Sequence, residues 1–167
     1  YRAQRVGGFR TGLILWETCI VPSLIYNSET WVDMGKEEVK TLNTAQDFFL
    51  RLLWGAGPGA PKVALRADTG TRDMESRIWR KKIMLIFHIF NLGDDDLAKK
   101  MMMEQDANKW PGLVEEVKAQ CESLNLEDPM KTTLSKKEYG KAVEKACKWK
   151  DEAMMKADME RMKDRKM

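Results

Sequence analysis

Asp73-Met74-Glu75-Ser76-Arg77-Ile78-Trp79-Arg80-Lys81-Lys82-Ile83-Met84-Leu85-Ile86-Phe87-His88-Ile89-Phe90 decides the fold class. Its second half, residues 83–90, is an unbroken apolar run that taken alone reads as a buried strand. The run is continuous with the charged turns of residues 75–82, and the whole is far longer than a typical strand. Ile78, Trp79, Ile83, Ile86, Phe87 and Phe90 fall on one wide helical face, Asp73 stands at the start and Leu92-Gly93 at the stop. The reading is helix. No other segment alternates convincingly with period two, so the chain is expected to be all-α.

Working outward, residues 9–26 carry Leu13, Ile14, Trp16, Ile20, Leu24 and Ile25 at helical spacing, with Glu17 the only charge after Arg10. Most of that circumference is expected to be buried, and Pro22, which lacks a backbone donor, should kink the rod. Asp33 is expected to cap a second helix with the stripe Val39, Leu42, Gln46, Phe49 and Leu53, stopped by Gly55. Residues 55–61 are Gly- and Pro-rich and form a loop, followed by a short helix over residues 62–67. Asp94-Asp95-Asp96 cap a Met-rich helix to about Gln105, and Trp110-Pro111 open another to Leu124, with Leu113, Val117, Ala119 and Leu124 facing partly inward. Ser135 and Glu138 have capping-box spacing, and nothing then breaks the helix to about Lys163. Its stripe of Tyr139, Val143, Ala146 and Ala153 is thin, so a long solvated helix is expected.

A chain of 167 residues can bury a core without disulfides or metals. Cys19, Cys121 and Cys147 are odd in number and far apart, and His88 is the sole histidine, so neither a disulfide framework nor a zinc site is expected. The net charge of +3 is unevenly placed. Residues 1–90 hold 13 Lys and Arg against 9 Asp and Glu, and residues 91–167 hold 16 against 17. Any basic surface is therefore expected in the first half, a weak pointer to nucleic acid. No apolar run reaches the roughly 18 residues that suggest a membrane span, and no signal-peptide layout precedes the first apolar stretch. An intracellular setting, nuclear or cytoplasmic, is the expectation, as is a chain cut from something longer, since it starts at Tyr1.

Catalytic constellations are lacking. The Asp94–Asp96 triplet follows a helix stop and has no strand framework on which two metal ions could be held, so it reads as cap and solvated turn. His88 lies in the most apolar stretch without a nucleophile nearby and reads as a core or half-buried imidazole. Ser23 and Ser28 lack a base partner, and no Gly-rich string reads as a phosphate loop. Arg2, Arg5 and Arg10 form one basic group; Arg72, Arg77, Arg80, Lys81 and Lys82 form another, which reads either as solvated charge on a helix face or as phosphate contacts.

One junction points further. Ile20-Val21-Pro22-Ser23-Leu24-Ile25-Tyr26-Asn27-Ser28-Glu29-Thr30-Trp31 resembles the segment just beyond the palm in reverse transcriptases of LINE-type (non-LTR) retrotransposons, where Pro-x-Leu-Ile/Leu-Tyr-x-x-Glu-x-Trp opens the helical thumb. The likeness runs on through residues 50–55, 61–66, Thr69-Gly70 and residues 77–82, about the first two-thirds of the chain. Asn27 departs from it, standing where many members carry Gly, and the helix after Ser135 matches nothing in the pattern. The resemblance implies a thumb-like irregular bundle of five to seven helices over residues 1–92, post-thumb helices and linker over 93–130, and a charged C-terminal helix over 131–167. It implies no catalytic residue, metal or cofactor in this chain, magnesium belonging to a palm domain upstream. Its expected partners are an RNA–DNA or DNA duplex and the palm and C-terminal domains of the parent polymerase, with no membrane.

Under that resemblance Lys62, Arg66, Arg77, Arg80, Lys81 and Lys82 would grip the duplex backbone. Pro22, Tyr26, Glu29 and Trp31 would be supports: Tyr26 and Trp31 closing the ends of the first helix, and Glu29 accepting a hydrogen bond from the ring donors or from backbone N–H groups of the next turn. The rival is a helical protein-interaction module derived from a retroelement remnant, with exposed Trp and Met as its contacts. A fragment with no selected role is a third possibility. The feature separating the first two is whether residues 77–82 form a patch continuous with Lys62 and Arg66 or are split by acidic side chains.

Overall fold

The computed structural model describes residues 8–164, and every regular element among them is helical. In chain order these are α1 (Gly8–Leu15), a π turn (Trp16–Ile20), α2 (Val21–Leu24), a 3₁₀ turn (Ser28–Thr30), α3 (Lys36–Trp54), α4 (Lys62–Thr69), α5 (Met74–Phe90), α6 (Leu97–Ala107), α7 (Leu113–Ser123) and α8 (Lys136–Asp164). The all-α expectation holds, with residues 83–90 inside α5. No helix among the described residues is long and apolar enough to cross a membrane.

Packing divides the described residues into two units that do not follow the expected serial segments. One comprises residues 8–26, 35–74 and 152–164, the other residues 27–34 and 75–151. The division falls inside α8, between Asp151 and Glu152.

In the first unit, α1 and its π turn lie along α3. Trp16 stacks on Phe49 at 4.4 Å, Phe9 meets Trp54 at 4.6 Å, and Gly12 leaves the space that Leu53 fills. The irregularity expected at Pro22 takes the form of the π turn just before it. Pro22 offers Thr18 no N–H, and the hydroxyls of Thr18 and Ser23 donate to the carbonyls of Ile14 and Cys19, one turn back. The expectation of near-complete burial fails here: only Trp16, Val21 and Ile25 are buried, and Ile14, Leu15 and Ile20 are exposed. One apolar face suffices to pack against α3, and nothing else among the described residues of this unit covers the rest.

Helix α3 ends on Gly55 and α4 on Gly70, both with positive φ, as helix stops require. The expected cap at Asp33 is corrected. Helix α3 begins three residues later behind Gly35, and Asp33, itself at φ 57°, donates its backbone N–H to Glu116.

The second unit has a continuous core of Ile83, Ile86 and Phe87 from α5, Leu113, Val114, Val117 and Cys121 from α7, and Tyr139, Val143 and Cys147 from α8. Phe87 and Tyr139 stack at 4.8 Å, and the Tyr139 hydroxyl donates to the Glu127 carbonyl. Asp96 caps α6 by accepting the N–H groups of Ala98 and Lys99. Ser135 and Glu138 form the expected reciprocal box: the Ser135 N–H donates to the Glu138 carboxylate and the Glu138 N–H to Ser135 Oγ. Helix α7 starts at Leu113, and Ala119 is exposed instead of facing inward. His88 is likewise corrected from core to solvent, because Ile86, Phe87 and Ile89 already fill the inward face of α5.

Candidate nucleic-acid interface

The six basic residues assigned to the duplex sit on α4 and α5, and their surroundings differ sharply; of the other basic group, Arg2 and Arg5 lie outside the described residues. On α4, Arg66 reaches back to α3. Its Nε donates to Asp47 at 2.7 Å, Nη1 to Asp73 at 2.9 Å and Nη2 to the Asn43 carbonyl at 3.4 Å. Asp47 is buried and also draws Lys62 to 3.5 Å. Arg66 thus uses its planar fork inside the unit, docking α4 on α3. Lys62 keeps about half of its side chain in solvent.

On α5, Lys82 is wholly buried, with Nζ 2.9 Å from Glu116 and 4.7 Å from the Trp79 ring centre. It lies midway between Ile78 and Ile86, one turn from each, so the helix carries it into the core and Glu116 neutralises it there. Lys81 pairs with Glu29 at 3.1 Å and Arg80 with Glu144 at 3.4 Å; Arg77 is half-buried. Each of Lys62, Arg66, Arg80, Lys81 and Lys82 therefore faces a carboxylate. The expectation of six cations turned toward a duplex is corrected for Arg66 and Lys82, whose charges are held inside. The half-exposed Lys62 and Arg80, and Lys81 at 37 % exposure, keep surface for an external anion.

The support residues are partly rearranged. Pro22 lies at the start of α2. Tyr26 is 79 % exposed. Asn27 adopts the left-handed conformation at φ 56°, and the 3₁₀ turn that follows carries Glu29 toward Lys81. The Glu29 carboxyl is held below its usual range, first by its own backbone N–H and also by Lys81, against an opposing contribution from burial. The backbone donor is the N–H of Glu29 itself instead of one from the next turn, and the ammonium of Lys81 stands where the rings were expected. Trp31 is half-buried and its N–H donates to the Ser28 carbonyl.

Beside Lys82, a groove of about 370 Å³ is lined by Asp33, Met34, Trp79, Glu116 and Gln120. The arrangement offers ion pairs and an aromatic wall, with no nucleophile–base pair. Among the described residues, no group of three or more His, Cys, Asp or Glu is placed to hold a metal ion. Asp94 and Asp95 of the acidic triplet face Lys99 and Lys100. Glu116, Asp47 and Asp73 were missed as counter-ions in the sequence. The signal for Lys82 was present, since a lysine at i+4 from Ile78 and i−4 from Ile86 must enter the core. Comparison with protein-family models, curated proteins and solved structures finds no match.

Proposed function

We propose that this chain is a non-catalytic helical module of the type that follows the palm in LINE-type reverse transcriptases, resting against the primer–template duplex and holding it through sparse phosphate contacts. The observation that carries this reading is the geometry of the Tyr26–Trp31 junction. Asn27 occupies a left-handed turn at φ 56°, which only Gly, Asn or Asp adopt readily, so its departure from the family's Gly is a substitution the backbone accepts. Two residues later Glu29, the acid of the family pattern, is tied to Lys81 of α5. In this reading Asn27 and Glu29 are supports, and the chemistry belongs to another domain.

Lys62, Arg80 and Lys81 are the members of the basic set that this reading assigns to phosphate, and their partial pairing makes the grip weak. An anisotropy titration of the chain with an RNA–DNA hybrid, repeated across salt concentrations, tests it. Weak binding that declines steeply with salt and drops in Lys62→Gln/Arg80→Gln is expected; affinity indifferent to both overturns it. The interleaving of carboxylates among these cations favours the second reading, a protein-interaction module of retroelement origin, and that indifference would select it.

A further inference from the structure

Lys137, Lys141 and Lys145 stand at i, i+4 and i+8 of α8, opposite the buried face formed by Tyr139, Val143 and Cys147. All three are exposed. Among the described residues no carboxylate pairs with Lys137, Lys141 or Lys145. The acids on neighbouring positions are engaged: Glu138 is bound by Ser135 in the cap, and Glu144 takes Arg80. One turn beyond Lys145, Trp149 projects with 67 % of its surface exposed.

We propose that this face of α8 is a track for single-stranded nucleic acid, with the lysines on successive phosphates and Trp149 stacked on a base. At about 1.5 Å per residue the three positions repeat roughly every 6 Å along a row about 12 Å long, a spacing comparable with the phosphates of one strand. The row is one side chain wide, which suits a strand better than the two-sided surface of a double helix. A duplex keeps its base faces inside the stack, and only an unpaired strand presents one to the Trp149 ring. The lysines act as point charges on phosphates and the ring stacks on any base, so binding is sequence-tolerant. The proposal does not rest on the thumb reading, because α8 lies outside the segment that carries the resemblance.

The test uses the full chain with labelled oligo-dT and oligo-U, which separate DNA from RNA. Three contacts give a log–log salt slope of about −2 for single strands, and Lys137→Gln/Lys141→Gln/Lys145→Gln should abolish most of it. Trp149→Ala should weaken binding about tenfold, with Trp149→Phe retaining most of the affinity. All these positions are exposed, and circular dichroism should show unchanged helicity. Unaltered binding in the triple variant or in Trp149→Ala overturns the proposal, as does equal affinity for a blunt duplex or equal displacement by polyglutamate. The α4 and α5 cations are scored with hybrid duplex and the α8 row with single strands, so either reading can fail alone.

Discussion

Lys82 is wholly buried with its ammonium 2.9 Å from one oxygen of Glu116, while the other oxygen accepts the Asp33 N–H at 2.5 Å. The pair is asymmetric, because Glu116 keeps a quarter of its side chain exposed. Removing the carboxylate strands a charge with no access to water; removing the cation leaves a carboxylate that can hydrate. Glu116→Ala should therefore destabilise by about 2–4 kcal/mol. Lys82→Met, which keeps the stem packed near Trp79, should lose distinctly less. Urea unfolding midpoints decide, and a larger loss for Lys82→Met would refute the asymmetry.

Arg66 makes a second test, because one guanidinium serves Asp47, Asp73 and the Asn43 carbonyl together. Lysine carries the charge without the fork and cannot meet three acceptors in that geometry. Arg66→Lys should lower stability by roughly 1–3 kcal/mol. Hydrogen exchange should rise in α4 first, since this contact docks it on α3. Exchange unchanged in α4 would show that apolar contacts such as Leu65 suffice.

How far the sequence carried is visible in these same residues. Periodicity placed the helices, and the Ser135–Glu138 box fixed the start of α8 to within a residue, because those signals act within one or two turns. The sequence did not show which face each helix turns inward. A helix as apolar as residues 9–25 looks buried all round, yet it packs on one side only. Charge was the harder case. Lys82 and Arg66 look like surface cations until Glu116, Asp47 and Asp73 are brought to them, and those encounters are tertiary. The exposed row on α8 was hidden for the opposite reason, since acidic residues of the same helix cancel it in any count by segment.

Asn27 gives a prediction about backbone alone. At φ 56° a Cβ-bearing residue without a short polar side chain is strained. Asn27→Gly should leave the thermal midpoint nearly unchanged, whereas Asn27→Ala should lose about 1–2 kcal/mol. If alanine is as stable as asparagine, the turn is not held in this conformation.

Burial separates the three thiols. Cys19 is exposed, and Cys121 and Cys147 are buried. A native-state titration with a disulfide-exchange reagent should modify Cys19 quickly and the other two only on unfolding. Burial pushes the Cys121 thiol from 9.0 to about 11, and Tyr139 is shifted upward as well, chiefly by its own burial. Both groups are favoured in their neutral forms by the fold. Their contribution is complete below the unfolded value, so for Cys121 it is lost as pH climbs from about 9 through about 11. Stability measured over that window should decline, and Cys121→Ala, though less stable throughout, should decline less steeply. A variant as steep as the parent between those two pH values would mean that the thiolate is tolerated inside the core.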